Sequence, residues 1–386
     1  MNNLYPKKIV IDKFRSIRDL SFDIGKRLTV ISGHNGVGKS NILSLIASGS
    51  GISKSSNFGS NFQPEFYDFF YLDVNEPISD YRITTEYADQ NDNVCLKKRL
   101  SFKNDTKGNR GIRIIPRTEK KDDISTLKEE VHRVLNEYGI GGSARVSIPT
   151  TYLSLSRIYP LGESKEKVSI KNVNNRGILY KHNANTVFYQ WYNEVISGVL
   201  DTNSDKIQMI DKQISRRSSL FIEMGDTHAY SQSIGQDSLG HIISALVDIY
   251  ILSKEGSYEN ALLCIDEVDV SLHPDTQLRL LRLLTRLSEE YNFQVIVTTH
   301  SLTIIKEISK LEKLSNAKYK LVYLIDSKLP RILKSNEYSI IKANMFNDTR
   351  FSNQRPTFTA TIRDITDRRR AESDLAAARD DALEAV

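Results

Sequence analysis

The chain has 386 residues, enough to bury a sizeable core and to hold two or three domains of ordinary size. With 39% hydrophobic and 26% charged residues it reads as a globular protein, and no apolar run approaches the length that spans a bilayer. A net charge of +5 permits contact with nucleic acid without arguing for it, and an ordinary solvated surface is the preferred explanation. The two cysteines, Cys95 and Cys264, exclude a disulfide framework and suit a reducing, cytoplasmic setting. The opening MNNLYPKKIV carries no hydrophobic signal segment.

Alternation over residues 7–14 and 15–24 predicts two strands joined tightly, with Gly25-Lys26 turning into a β-branched strand at 28–32. Next comes Gly33-His34-Asn35-Gly36-Val37-Gly38-Lys39-Ser40, which fits G-x-x-x-x-G-K-[ST] at every fixed position, and residues 41–47 have helical apolar spacing. In a strand–loop–helix setting the glycines let the backbone wrap a triphosphate, so that amides and the positive helix end face the phosphates. Lys39 would then reach the β- and γ-phosphates of ATP, and Ser40 would place its hydroxyl on Mg²⁺.

Residues 48–61, rich in Gly, Ser and Asn, predict a loop. Strands are expected at 66–72, 81–87, 95–102 and 111–116, an antiparallel set beside the phosphate-loop helix, and a helix at 124–138. Residues 150–160 read as a strand ending in Arg157 and Tyr159. The polar stretch 164–230 predicts an inserted lobe in which only 185–200, containing Trp191, is clearly helical. Helices at 239–253 and 277–287 then alternate with strands at 261–265, 294–299 and 318–326 and a weaker one at 332–339. This alternation argues for an α/β sheet.

The strand at 261–265 ends in Asp266-Glu267. Asp266 would hold the magnesium shell and Glu267 would polarise the attacking water, a task for a carboxylate beside the metal but not on it. The strand at 294–299 ends in His300, where a neutral imidazole can hydrogen-bond a γ-phosphate or that water.

Phosphate loop, strand–Asp266-Glu267 and strand–His300 in this order resemble an ATP-binding cassette ATPase. The opening KIVIDKFRSIRDLSF…LTVISGHNGVGKSNIL and the run Asp266-Glu267-Val268-Asp269-Val270-Ser271-Leu272-His273-Pro274 are similar to the branch of AAA-type ATPases that contains the structural-maintenance-of-chromosomes, RecF-type and OLD-type enzymes. The likeness spans roughly residues 7–330. It implies a P-loop NTPase fold with a mixed sheet, an antiparallel β subdomain and a partly helical inserted lobe. Residues 233–240 are a degenerate match to the family's signature motif, which in such ATPases reaches the γ-phosphate bound by the other subunit. Ser233, Gly235 and Gln236 are its candidate contacts, and Gln63 is the candidate for the glutamine that senses the γ-phosphate beside the metal. YLSLSRIYPLGE also resembles prokaryotic ATPases linked to phage defence. The signature lacks the leading leucine and second glycine of the transporter form. Long coiled-coil arms are absent, as is an acidic nuclease module after His300.

Beyond residue 353 the composition changes: no lysine follows Lys342, and Arg, Ala and Asp dominate. Residues 361–372 resemble the last strand and exit helix of a PAS sensor domain, too short for a ligand pocket and compatible with a fusion or a truncation. The expected division is therefore an ATPase domain at 1–353, with its insert at about 164–230, and a tail at 354–386. The resemblance implies a cytoplasmic ATPase that forms an ATP-dependent homodimer and couples closure to DNA or a protein effector, in phage defence or DNA repair, without a membrane partner. An ATP-gated clamp for a separate nuclease is the alternative, and a transporter subunit is disfavoured. Arg113, Arg117, Lys120 and Lys121 form either a DNA-facing patch or a solvated loop.

Overall fold

The computed structural model describes residues 3–59, 61–108, 111–159, 168–173, 177–196, 206–212, 217–223, 233–256 and 258–346. The chain begins with strands β1 (Tyr5–Phe14), β2 (Ile17–Asp23) and β3 (Leu28–Gly33), then helices α1 (Lys39–Ser48) and α2 (Phe66–Phe69). There follow β4 (Arg82–Ala88), β5 (Val94–Asn104), β6 (Ile112–Glu119), α3 (Leu127–Tyr138) and β7 (Thr150–Leu153). Next are β8 (Ser169–Asn172), α4 (Ile178–Lys181), α5 (Ala184–Val195), β9 (Lys206–Lys212) and β10 (Arg217–Glu223). The last part holds α6 (Ile234–Lys254), β11 (Ala261–Ile265), α7 (Pro274–Glu290), β12 (Phe293–Thr299), α8 (Leu302–Leu314), β13 (Tyr319–Ile325), β14 (Arg331–Ile332) and α9 (Tyr338–Phe346).

Three sheets result. The main sheet has the order β14-β13-β3-β12-β11-β7 and is parallel except for its edge pair β13–β14. Its strands β3, β11 and β12 are buried at every position, as near-continuous apolar runs under two covered faces must be. The second sheet, β2-β1-β4-β5-β6, is antiparallel throughout. Both sheets contribute to one core with α1: Ile9, Ile83 and Leu96 of the antiparallel sheet join Ile42 and Ile46 of α1 and Ile296 of β12. Helix α1 is accordingly buried around most of its circumference, not along one stripe. The third sheet, β10-β9-β8, is antiparallel and packs through β10 on α6, which is itself buried along nearly its whole length. The described residues up to 332 make one compact unit; those from 333 to 346 belong to a second, which holds α9.

This is the expected mixed α/β fold, with local differences. Residues 66–72 are not a strand. Phe66 and Phe70 bring their rings within 4.9 Å, and the Phe70 amide donates to the Phe66 carbonyl, so the aromatic run closes a single helical turn as α2. The strand expected at 150–160 stops at Leu153, because the Ser154 hydroxyl accepts the Ser156 amide and caps a tight turn over 155–158. The expected strand at 332–339 is reduced to the two-residue pairing of Arg331 and Ile332 with β13. Within the expected insert, β8, β9 and β10 form a sheet that their Lys- and Asn-rich text did not announce. Helix α8, between His300 and β13, was also not foreseen. Residues 354–386 lie outside the described residues.

Candidate functional site

The phosphate loop joins the end of β3 to the start of α1. Gly33, Gly36 and Gly38 have φ of 145°, 80° and 91°, a region closed to most side chains. At Gly33 the packing adds a second reason, since a Cβ would lie 2.2 Å from the Leu324 carbonyl oxygen of β13. Asn35 and Gly36 are exposed at the tip while Val37 is buried beneath it. Helix α1 starts at Lys39 with no side-chain cap, whereas α3, α6, α7 and α8 each begin with one. Its first amides are therefore left for another acceptor, which suits a phosphate.

Lys39 is 6% exposed and its ammonium donates to the carbonyls of Gly33 (3.2 Å) and His34 (3.1 Å). Burial pushes its pKa down, and the carboxylates of Glu267, Asp266 and Asp269 oppose that shift. Ser40 Oγ donates to Asp266 Oδ1 at 3.0 Å, so the start of α1 meets the end of β11 directly. The same Asp266 oxygen accepts from Thr298 Oγ1 at 2.6 Å, and Thr298 Oγ1 in turn accepts the Glu267 amide at 2.7 Å. Burial raises the Glu267 pKa, Asp266 raises it further, and Lys39 pulls it down. His300, half-buried at the end of β12, has its pKa lowered by burial and then by Lys39, which favours the neutral imidazole.

The carboxyl ends of β3, β11 and β12, neighbours in the sheet, thus bring Lys39, Ser40, Asp266, Glu267 and His300 into one electrostatic cluster. Ligands of open α/β sheets bind at such ends. An alcohol oxygen and a carboxylate oxygen at hydrogen-bond distance form a hard donor pair of the kind that Mg²⁺ takes, with water and phosphate oxygens completing its shell.

Gln63 lines a cleft of about 850 Å³ that Ser40 and Asp266 also line, and its Nε2 donates to Glu65 Oε1 at 3.0 Å. Ser233, Gly235 and Gln236 do not line that cleft. Ser233 caps α6 by accepting the Gln236 amide, while the Gln236 side chain accepts from the Ser233 amide. Gly235 sits against the backbone of the loop that follows Asp266-Glu267, where a Cβ would lie 2.3 Å from the Ser271 carbonyl oxygen.

Three residues of this region escaped a functional assignment from sequence. Thr298 and Thr299 bond Asp266 and Asp269 through their hydroxyls, at 2.6 and 2.5 Å. Their signal was the polar Thr-Thr pair just before His300 at the end of an otherwise apolar strand. The other is Arg157, whose position just beyond β7 was visible but whose contacts were not.

A phosphate loop, a carboxylate pair and a histidine on neighbouring parallel strands, beside an antiparallel sheet, define a P-loop NTPase of the ATP-binding cassette type. The family model described as "AAA domain, putative AbiEii toxin, Type IV TA system" matches residues 28–306. The chain belongs to that family of ATP-binding AAA proteins. Among curated proteins none matches. Solved structures with a similar course include the SMC head domain from Thermotoga maritima, at 18% identity and TM-score 0.44, covering 86% of this chain and 98% of that one. Another is an Smc head domain with an extended coiled coil, bound to the C-terminal domain of ScpA, derived from Pyrococcus furiosus (13% identity, TM-score 0.45, 86% and 96% covered). A third is the ATP-bound recombination mediator RecF (15%, 0.43, 86% and 100%). At these TM-scores the likenesses carry no functional argument. Among the described residues no helix is long and apolar enough to cross a membrane.

Proposed function

We propose that the chain hydrolyses ATP at the cluster built on Lys39, Ser40, Asp266, Glu267 and His300. The observation that carries this reading is the Ser40–Asp266 contact at 3.0 Å, with Lys39 and Glu267 acting on each other's titration beside it. The loop amides and Lys39 bind and orient the triphosphate. Ser40 and Asp266 are the residues that would hold Mg²⁺, with Gln63 lining the same cleft, and the ion would supply charge neutralisation to the triphosphate. Glu267, its pKa raised by burial, accepts the proton of the attacking water, and His300 donates a hydrogen bond from its neutral ring to the γ-phosphate.

The site is completed by a second copy of the chain. The N-terminus of α6, with Ser233 exposed, Gln236 partly exposed and Gly235 buried behind them, supplies donors to the nucleotide held by the partner, so that ATP joins two copies. Closure is coupled to an effector, a protein or DNA, in the cytoplasm. The family description, which names a toxin of a toxin–antitoxin system, favours a defence role.

The test is sedimentation of the Glu267→Gln chain with and without ATP, beside Lys39→Ala. An ATP-dependent dimer of Glu267→Gln that Lys39→Ala cannot form is expected. A monomer under both conditions would remove the two-copy site. Adding duplex DNA to the wild type separates the effectors: stimulation that fades with salt indicates phosphate contacts, and indifference to DNA points to a protein.

A further inference from the structure

Arg157 sits in the turn after β7 and is only 2% exposed. Four hydrogen bonds fix its guanidinium, and all four acceptors are neutral. Nη1 donates to the Asp266 carbonyl at 2.6 Å and to the Ser154 carbonyl at 3.0 Å, and Nη2 donates to the Glu267 carbonyl at 2.7 Å. Nε donates to Ser238 Oγ of α6 at 3.1 Å. The backbone of Arg157 is held as well, since Lys212 of β9 donates to its carbonyl at 3.2 Å and also pairs with Asp237 of α6. A buried cation without a bonded carboxylate is costly.

What the fork holds is unusual backbone. Glu267 has φ of +46°, a left-handed conformation that is strained for a non-glycine residue. The turn is pinned from the other side by β12: Thr298 Oγ1 accepts the Glu267 amide and the Thr298 carbonyl accepts the Val268 amide. The Asp266 amide is bonded to the Leu153 carbonyl of β7. Arg157 therefore closes the third side of a clamp around the peptide that joins the two carboxylates. It is also the group that ties this clamp to α6, five residues after the Ser233 cap.

We propose that Arg157 is a positioning residue for hydrolysis: it holds the 266–267 turn in the setting that presents Glu267, and through Ser238 it makes that setting depend on the seating of α6. This rests on the reading of Glu267 as the hydrolytic carboxylate. When the α6 N-terminus engages a second copy's nucleotide, any shift of α6 is passed by a direct hydrogen bond to the fork on Asp266 and Glu267. Binding of ATP needs only the phosphate loop and the metal oxygens, none of which Arg157 contacts by hydrogen bond. Its role therefore separates turnover from affinity.

The experiment measures kcat for ATP and, separately, affinity for a fluorescent ATP analogue with Mg²⁺, on the full chain. The variants are Arg157→Lys, which keeps the charge but loses the fork, and Ser238→Ala, which removes only the link to α6. Arg157→Lys is expected to lower kcat about 100-fold with nucleotide affinity unchanged, since a misplacement of an ångström in a reacting group has that effect. Ser238→Ala is expected to lower kcat by about tenfold or less, with affinity again unchanged. Wild-type turnover by Arg157→Lys, or equal losses in kcat and affinity, would overturn the proposal. Should Arg157→Lys fail to unfold cooperatively, Ser238→Ala decides alone: lower kcat at constant affinity supports the link, and unchanged kcat removes it. A wild type no more active than Lys39→Ala strikes at the reading of the site and takes the proposal with it. An active wild type with indifferent Arg157 and Ser238 variants strikes at the positioning role only.

Discussion

Ser40 Oγ and Asp266 Oδ1 lie 3.0 Å apart although 226 residues separate them in the chain. The contact joins the first turn of α1 to the carboxyl end of β11, and in the function proposed above these two oxygens would hold a divalent ion on the bound triphosphate. It follows that Asp266→Asn should lose the gain in ATP-analogue affinity that Mg²⁺ confers. Titrations in Mg²⁺ and in EDTA should then nearly coincide for the variant while differing by tenfold or more for the wild type, an effect of about 1.4 kcal/mol. An undiminished Mg²⁺ effect in the variant would remove Asp266 from the metal.

Thr298 joins both carboxylate residues, donating to Asp266 and accepting from the Glu267 amide while itself fully buried. Thr298→Val keeps the shape and deletes both bonds, leaving the buried amide and carboxylate one partner short. Urea unfolding should record a loss of about 1–3 kcal/mol, accompanied by slower hydrolysis. A neutral substitution would mean that water replaces the hydroxyl at no cost.

At Gly235 two effects of opposite sign compete. Alanine is preferred to glycine inside a helix by about 1 kcal/mol, yet here its Cβ would lie 2.3 Å from the Ser271 carbonyl oxygen. The obstacle is backbone and cannot swing aside, so overpacking of about 1–3 kcal/mol should win. Gly235→Ala is therefore expected to lower the melting temperature, and a raised melting temperature would show that the loop at 271 yields.

Lys98 is fully buried between Thr118 Oγ1 and the Gly141 carbonyl, and burial pushes its pKa down to about 8 from 10.5. The unfolded chain therefore binds more protons than the folded one between those two values, and stability should rise with pH across that window. Below pH 8 both states carry the proton and the full cost of the buried charge, on the order of 3 kcal/mol, is present. Melting temperatures of wild type and Lys98→Met should converge as pH climbs from 8 to 10.5. Parallel curves would show that the lysine is accommodated without penalty.

The nucleotide end of the fold was legible because its constraints are local. The glycine spacing at 33–38 encodes left-handed backbone, and the apolar runs before Asp266 and His300 encode strands buried on both faces. The lobe carrying β8, β9 and β10 was not legible. There the fold depends on pairs far apart in sequence, Lys212 with Asp237 and Arg217 with Asp248, which look in the text like ordinary surface charges. Residues 66–72 misled for another reason: aromatic residues favour strands in general, but the contact of Phe66 with Phe70 is a helical one. Arg157 shows the same limit at the site itself, since a single arginine beyond a strand gives no hint that it grips two main-chain carbonyls more than a hundred residues away.

The most direct test of the account is steady-state ATP hydrolysis by the whole chain beside Lys39→Ala and Glu267→Gln, with nucleotide binding measured on all three. The wild type should turn over and Lys39→Ala should neither bind nor hydrolyse. Glu267→Gln should bind ATP as the wild type does while hydrolysing it about 100-fold or more slowly, as loss of a general base requires. A Glu267→Gln chain that hydrolyses ATP at the wild-type rate would contradict the role assigned to the carboxylate pair at the end of β11.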